Sequence, residues 1–266
     1  MWSDGSNNYS SLQASYQKFL THSGTSLIAN YTWSRLLGYG SDSNLFNSLG
    51  YRGPLVPGFG MKGEYGNLGF ESENVFHSGG IWKIPVGVSR HFLSHKGLLD
   101  TLVGGWQMTG IFTYQSGQTV TVNCTATETN TGGCYALAPQ GGFQYSGAKT
   151  LTHWLNSAAY SNPLPAATIG QTNFAPFGST PSQAFGPTFH RGDLGVEKLF
   201  HLPGQNVLEF RAEAFNITNH PNFGQPGTLT PNNSSFASIT STRDSPTDAR
   251  EMQFALKYFF GNGGQY

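Results

Sequence analysis

The amino-acid sequence predicts an all-β chain: an antiparallel meander of about seven long strands that forms one segment of a transmembrane β-barrel. Three observations carry this. The first is period two. In the closing run Met252, Phe254, Leu256, Tyr258 and Phe260 share one face, and Glu251, Gln253, Ala255, Lys257 and Phe259 the other. Upstream, Leu208, Phe210, Ala212 and Ala214 alternate with Glu209, Arg211 and Glu213. Such alternation marks a strand with unlike surroundings on its two sides. A soluble sheet also alternates, but its apolar face needs a second layer. In a membrane barrel lipid covers that face and the polar face lines the lumen. The second observation is composition. Charged residues make up only 11%, against about 25% in soluble domains, while aromatics reach 14% and glycines number 35. The third is loop length. The joins at T-H-S-G and L-P-G-Q-N are short, and those after Leu37, Asn123 and Thr218 are long. Short turns on one rim and long loops on the other are the outer-membrane arrangement.

The elements follow in order. Tyr9 to Leu20 alternates, with Leu12, Ala14 and Tyr16 against Gln13, Ser15 and Gln17. After a tight turn Thr25 to Leu36 alternates again, with Leu27, Ala29, Tyr31 and Trp33 on one face, and the two runs read as a hairpin. Leu37 to Leu68 has no steady period and reads as a long loop. A weaker strand is predicted from about Phe70 to Ile84, followed by a turn region from Val86 to Leu99. Asp100 to Val122 is predicted as one long strand, with Leu102, Trp106, Met108, Phe112 and Tyr114 on one face. It exceeds the roughly 10 residues that cross a bilayer, so its excess stands above the membrane. A long loop runs from Asn123 to Phe189, with one helical turn at Trp154 and Leu155. Arg191 to Leu202 is a strand with Leu194, Val196 and Phe200 outward, and Pro203-Gly204 turns into the strand from Val207. A second long loop, Thr218 to Ala249, precedes the last strand. The whole chain, residues 1–266, reads as a single unit.

The face assignment puts Trp106, Phe112, Phe210, Phe254 and Leu256 toward lipid. It puts Arg191, Asp193, Glu197, Glu209, Arg211 and Glu213 on the lumen side. Opposite charges on adjacent strands form a structural ladder, and this reading outweighs an acid–base site. No G-x-S-x-G, H-E-x-x-H, phosphate-binding glycine loop or C-x-x-C occurs, so no enzyme and no cofactor is expected. His91 and His95 have helical metal-ligand spacing, but they sit in a turn with no carboxylate nearby and read as a solvated pair, so no metal is expected. Cys124 and Cys134 flank a Thr/Asn/Gly-rich segment, which suggests a disulfide in an oxidising compartment; two unpaired thiols are the other reading. Lys+Arg and Asp+Glu are 14 each, and this balance speaks against a nucleic-acid partner. No apolar run is long enough for a transmembrane helix, and the first residues lack the charged start and apolar core of a signal peptide.

Three segments resemble the TonB-dependent outer-membrane receptors of the Oar-like type, which carry a carboxypeptidase-regulatory-like domain ahead of plug and barrel and abound in acidobacteria. They are G-G-W-Q-M-T-G-I-F-T-Y-Q-S-G-Q at Gly104 to Gln118, L-E-F-R-A-E-A-F-N-I-T-N-H-P-N-F-G at Leu208 to Gly224, and I-T-S-T-R-D-S-P-T-D-A-R-E-M-Q-F-A-L-K-Y-F-F at Ile239 to Phe260. The resemblance implies the last third of a plugged barrel of about 22 strands in the bacterial outer membrane. It implies uptake of an unidentified ligand, energised by the TonB complex through parts outside this chain. The implied partners are outer-membrane lipid, the remaining barrel and plug, and the barrel-assembly machinery. Phe260 is the expected C-terminal assembly signal, although the six residues after it leave Tyr266 as a second candidate. Bacterial single-chain barrels have even strand numbers, so seven strands read as a fragment. The rival reading is a secreted β-sandwich or propeller module that binds carbohydrate through exposed aromatics.

Overall fold

The computed structural model describes residues 6–20, 24–39, 65–68, 72–87, 92, 97–123, 136, 149–161, 184–244 and 248–261. Its centre is one antiparallel sheet. The long strands are β1 (Asn7–Leu20), β2 (Thr25–Tyr39), β4 (Asn74–Lys83), β5 (Trp106–Gln115), β8 (Phe189–Leu202), β9 (Asn206–Phe215) and β10 (Glu251–Phe259). Each pairs with the next, in the order β1-β2-β4-β5-β8-β9-β10, and the short β3 (Tyr65–Asn67) pairs with β2. The remaining strands, β6 (Thr119–Val120) and β7 (Ala184–Phe185), pair with each other in a separate ribbon. The predicted meander of about seven long strands is therefore present.

Register makes the alternation of each strand into two continuous faces. Leu12 pairs Trp33, and Tyr31 pairs Phe76. Phe76 pairs Tyr114, and Trp82 pairs Met108. Met108 pairs Val196, Val196 pairs Ala212, and Ala212 pairs Phe254. Trp106, Lys198, Phe210 and Leu256 form a row in the same way. Because side chains alternate along a strand, a slip of one residue in any pair would mix the two faces. Trp106, Phe112, Phe210, Phe254 and Leu256 thus lie together on one side of the sheet. No described layer covers that side: Leu256 is 68% exposed and Phe254 67%. A sandwich would bury those side chains against a second sheet.

The rims differ as the loop lengths predict. The β8–β9 hairpin closes at Pro203, with Gly204 (φ 76°) and Gln205 (φ 61°) both left-handed, the hand that matches strand twist. Asn206 Nδ2 donates to Pro203 O at 2.9 Å and holds that turn. The other rim carries the long connections 40–73, 116–188 and 216–250. The main buried cluster of the described residues lies in these connections and not in the long strands. Val120, Val122, Ala136, Leu155, Tyr160, Ala184, Phe236 and Ala237 pack together, with Trp154 and Leu229 against them. Backbone bonds lace the two longer loops: Asn123 N–H to Leu229 O at 2.7 Å, Ile239 N–H to Leu151 O at 2.7 Å, and Trp154 N–H to Ala237 O at 3.1 Å.

The structure corrects three local expectations. Asp100 to Val122 is not one strand. Its start is the helix α1 (Leu98–Val103), so Leu102 leaves the strand face; Gly105 (φ 73°) then turns the chain into β5. Its end, Thr119–Val120, leaves the main sheet to pair with β7. The helical turn is a 3-10 turn at Ser157–Ala159, where Asn156 Oδ1 accepts from Ala158 N–H at 3.1 Å, and not at Trp154 and Leu155. The Leu37–Leu68 loop loses its two ends to β2 and β3. His91, His95, Cys124, Cys134 and Tyr266 lie outside the described residues.

Candidate functional site

The polar face carries the predicted ladder, split into two clusters. In the first, β8 and β9 place Glu197 opposite Arg211. The Arg211 guanidinium reaches Glu209 at 3.1 Å, Glu197 at 3.5 Å and Glu213 at 4.0 Å. Gln107 on β5 donates to Glu197 at 2.8 Å, and Gln253 on β10 donates to Glu213. One cation thus gathers three carboxylates, and amides from both neighbouring strands satisfy part of the excess. The side chains remain 13–38% exposed, so water screens them and each pair adds little stability.

The second cluster stands at the long-loop rim. Arg191 Nε meets Asp193 at 3.1 Å, and Arg191 Nη1 meets Asp244 at 3.7 Å. Asp193 Oδ1 also accepts the Asn216 N–H at 2.8 Å. Asn216 and Asn222 are each 1% exposed and organise the turn after β9. Asn216 Nδ2 donates to His220 O at 3.0 Å and Asp248 O at 2.8 Å, while its Oδ1 accepts from the Thr218 hydroxyl at 3.0 Å. Asn222 Oδ1 accepts the His190 N–H at 2.8 Å, and its Nδ2 donates to Asp244 at 3.1 Å. Arg243 lies over the Phe189 ring at 4.9 Å and donates to Gln115 at 3.0 Å. Sequence periodicity could not reveal these partners, because Asp244 and Asp248 come from the last loop. The available signal was the repeated Asn in N-I-T-N-H-P-N: asparagine both donates and accepts, which suits a buried turn.

Between the clusters the same face carries an apolar ledge. Ile28 and Ile111 flank Gly79 across β2, β4 and β5, and Ile81 lies beside them. With Gly80, Gly110, Gly195 and Phe215 they shape a shallow hollow of about 380 Å³. Among the described residues no group of three or more His, Cys, Asp or Glu could hold a metal ion. In the loop cap the Lys149 ammonium sits 4.9 Å from the Trp154 ring, and burial pushes its pKa below the usual lysine value.

An antiparallel sheet with one apolar uncovered face, one polar face and loops sorted by rim is the wall of a transmembrane barrel. The chain matches the model of the outer membrane beta barrel domain over residues 1–253 and belongs to that family. It is therefore a bacterial outer-membrane protein, and the sandwich or propeller reading is not favoured. Neither a curated protein nor a solved structure matches it. The short turns accordingly face the periplasm and the long loops the exterior.

Cys124 and Cys134 fall in the connection between β5 and β8. Ala136 N–H donates to Val122 O at 2.9 Å, so the chain is tied together two residues before the first cysteine and two after the second. A disulfide is expected there. Mass spectrometry of non-reduced peptides from surface-exposed protein should find the two cysteines in one cross-linked species; two free thiols would refute it.

Proposed function

We propose that the chain is the wall of a TonB-dependent uptake receptor of the Oar-like type, and that it works only with further strands beside it. It is read as a wall and receptor, not as an enzyme. The carrying observation is the open sheet. β1 and β10 each have one neighbour among the described residues. Seven strands in a meander also leave β1 and β10 running the same way, so closing them on each other would need a parallel pair. Bacterial barrels close antiparallel with even strand numbers, and an unpaired edge in hydrocarbon costs several kcal/mol per orphaned group. Further strands of a larger barrel remove both conflicts. The apolar face, with Trp106, Phe112, Phe210, Phe254 and Leu256, is assigned to lipid. The charged face with Arg191, Asp193, Glu197, Glu209, Arg211 and Glu213 is assigned to the lumen, where a plug and a passing ligand meet it. Phe260, 81% exposed and 4.7 Å from the Tyr258 ring, stands at the periplasmic end of β10. We assign it the role of signal to the barrel-assembly machinery.

Expression of residues 1–266 alone behind a signal peptide tests the reading. The expected product is insoluble or degraded, with no compact species that shifts on gels after heating. A compact, heat-modifiable monomer that binds or conducts a solute would overturn it.

A further inference from the structure

The periplasmic turn between β4 and β5 holds a feature that strand alternation does not explain. Lys198 lies on the apolar face, in the row Trp106, Lys198, Phe210, Leu256. A cation facing lipid is costly unless its amine escapes. Here Lys198 is only 4% exposed. Its Nζ donates to Gly104 O, the cap of α1, and it sits 5.6 Å from the Trp106 ring and 5.1 Å from the Phe200 ring. Trp106 Nε1 donates to Leu102 O at 3.0 Å. Two side chains from the outer face thus grip the C-terminal end of α1. That end of the helix is therefore held on the outer side of the wall.

Asp100, Leu102 and Val103 of α1 are oriented against what water favours. Asp100 points back into the turn: a Cβ placed on Gly87 or Gly104 would lie 2.9 or 2.5 Å from its carboxylate oxygen. Leu102 and Val103 face away from the protein, 65% and 48% exposed. A helix resting on a wall in water buries its apolar side and presents its acid. Leu102 and Val103 turned outward beside Trp106, with the Asp100 carboxylate turned in, suit the boundary between headgroups and acyl chains.

We propose that α1 is a foot that seats Leu102 and Val103 in the periplasmic leaflet of the outer membrane, with phospholipid as its partner. The foot continues the lipid-facing surface assigned above and rests on that assignment. Lys198 and Trp106 are the positioning residues that hold it there. The basic head of Lys198 is satisfied by the helix cap, so its charge sits at the interface while its stem lies in the apolar row.

The test uses the chain within the larger barrel that the proposed function requires, assembled in outer-membrane vesicles. Leu102→Cys, Val103→Cys, Leu256→Cys and Gln253→Cys are made in a Cys124→Ser, Cys134→Ser background. Each is labelled with the fluorophore NBD, with the cysteine-free chain as blank. The probes are phosphatidylcholine carrying a nitroxide on its headgroup, the same lipid with a nitroxide deep on its acyl chain, and aqueous iodide. The expected result is loss of fluorescence at 102 and 103 with the headgroup nitroxide, at 256 with the acyl-chain nitroxide, and at 253 with iodide alone. Two foot positions guard against one variant failing to fold. Quenching of 102 and 103 by iodide alone, with 256 still quenched by lipid, overturns the foot and leaves the lipid-face assignment standing. A label at 256 that neither lipid probe quenches overturns that assignment and the foot with it.

Discussion

Leu256→Arg is expected to destabilise the assembled barrel by about 2–4 kcal/mol, whereas Gln253→Arg should be mild. The two positions are three residues apart on β10, with opposite parity. Leu256 pairs Phe210 in the apolar row and is 68% exposed to whatever surrounds the barrel. An arginine there must leave the hydrocarbon or drag water in, and its cost is largest near the midplane. Gln253 pairs Glu213 on the charged face and donates to its carboxylate. An arginine there would face Glu213, and Arg211 is already shared among three glutamates. Unfolding in urea from lipid vesicles, with both variants in parallel, measures the difference. Equal losses at the two sites would refute the face assignment.

Phe236→Ala is expected to open the extracellular cap while the wall stays folded. Phe236 is 2% exposed, among the largest fully buried side chains described, and it meets the Tyr160 ring edge-on at 5.9 Å. Removing a buried phenylalanine costs about 3–5 kcal/mol, from lost transfer energy and from the cavity left behind. The loss should be local. The cap has its own core of Val120, Val122, Leu155 and Ala184, whereas the sheet is held by backbone ladders and its surroundings. Units with separate cores open separately. Protease added to intact cells should therefore cleave the variant within residues 116–188 or 216–250 and spare the parent. Heat-modifiability on gels should not change. Joint loss of the barrel would show that the cap and the wall form one cooperative unit.

Most of the long strands, and which side chains share a face, were legible in the residue order alone. Alternation is local: Leu208 to Ala214 and Met252 to Phe260 each show it without knowledge of any partner, because successive side chains must point to opposite sides. The lengths of the T-H-S-G and L-P-G-Q-N joins likewise sorted the rims before any pairing was known. Whatever depends on residues far apart in the chain came only with the folded sheet and its loops. It joined Arg191 to Asp244 and Asn216 to Asp248 across the last loop. It built the cap from segments on either side of β8 and β9. It converted the start of the supposed Asp100–Val122 strand into α1, because Gly104 and Gly105 break the run and the helix finds Lys198 and Trp106 to grip it. Lys198 shows the division best. Periodicity puts a lysine on the apolar face and has no account of it, since the carbonyl that satisfies its amine belongs to a helix cap 94 residues earlier in the chain.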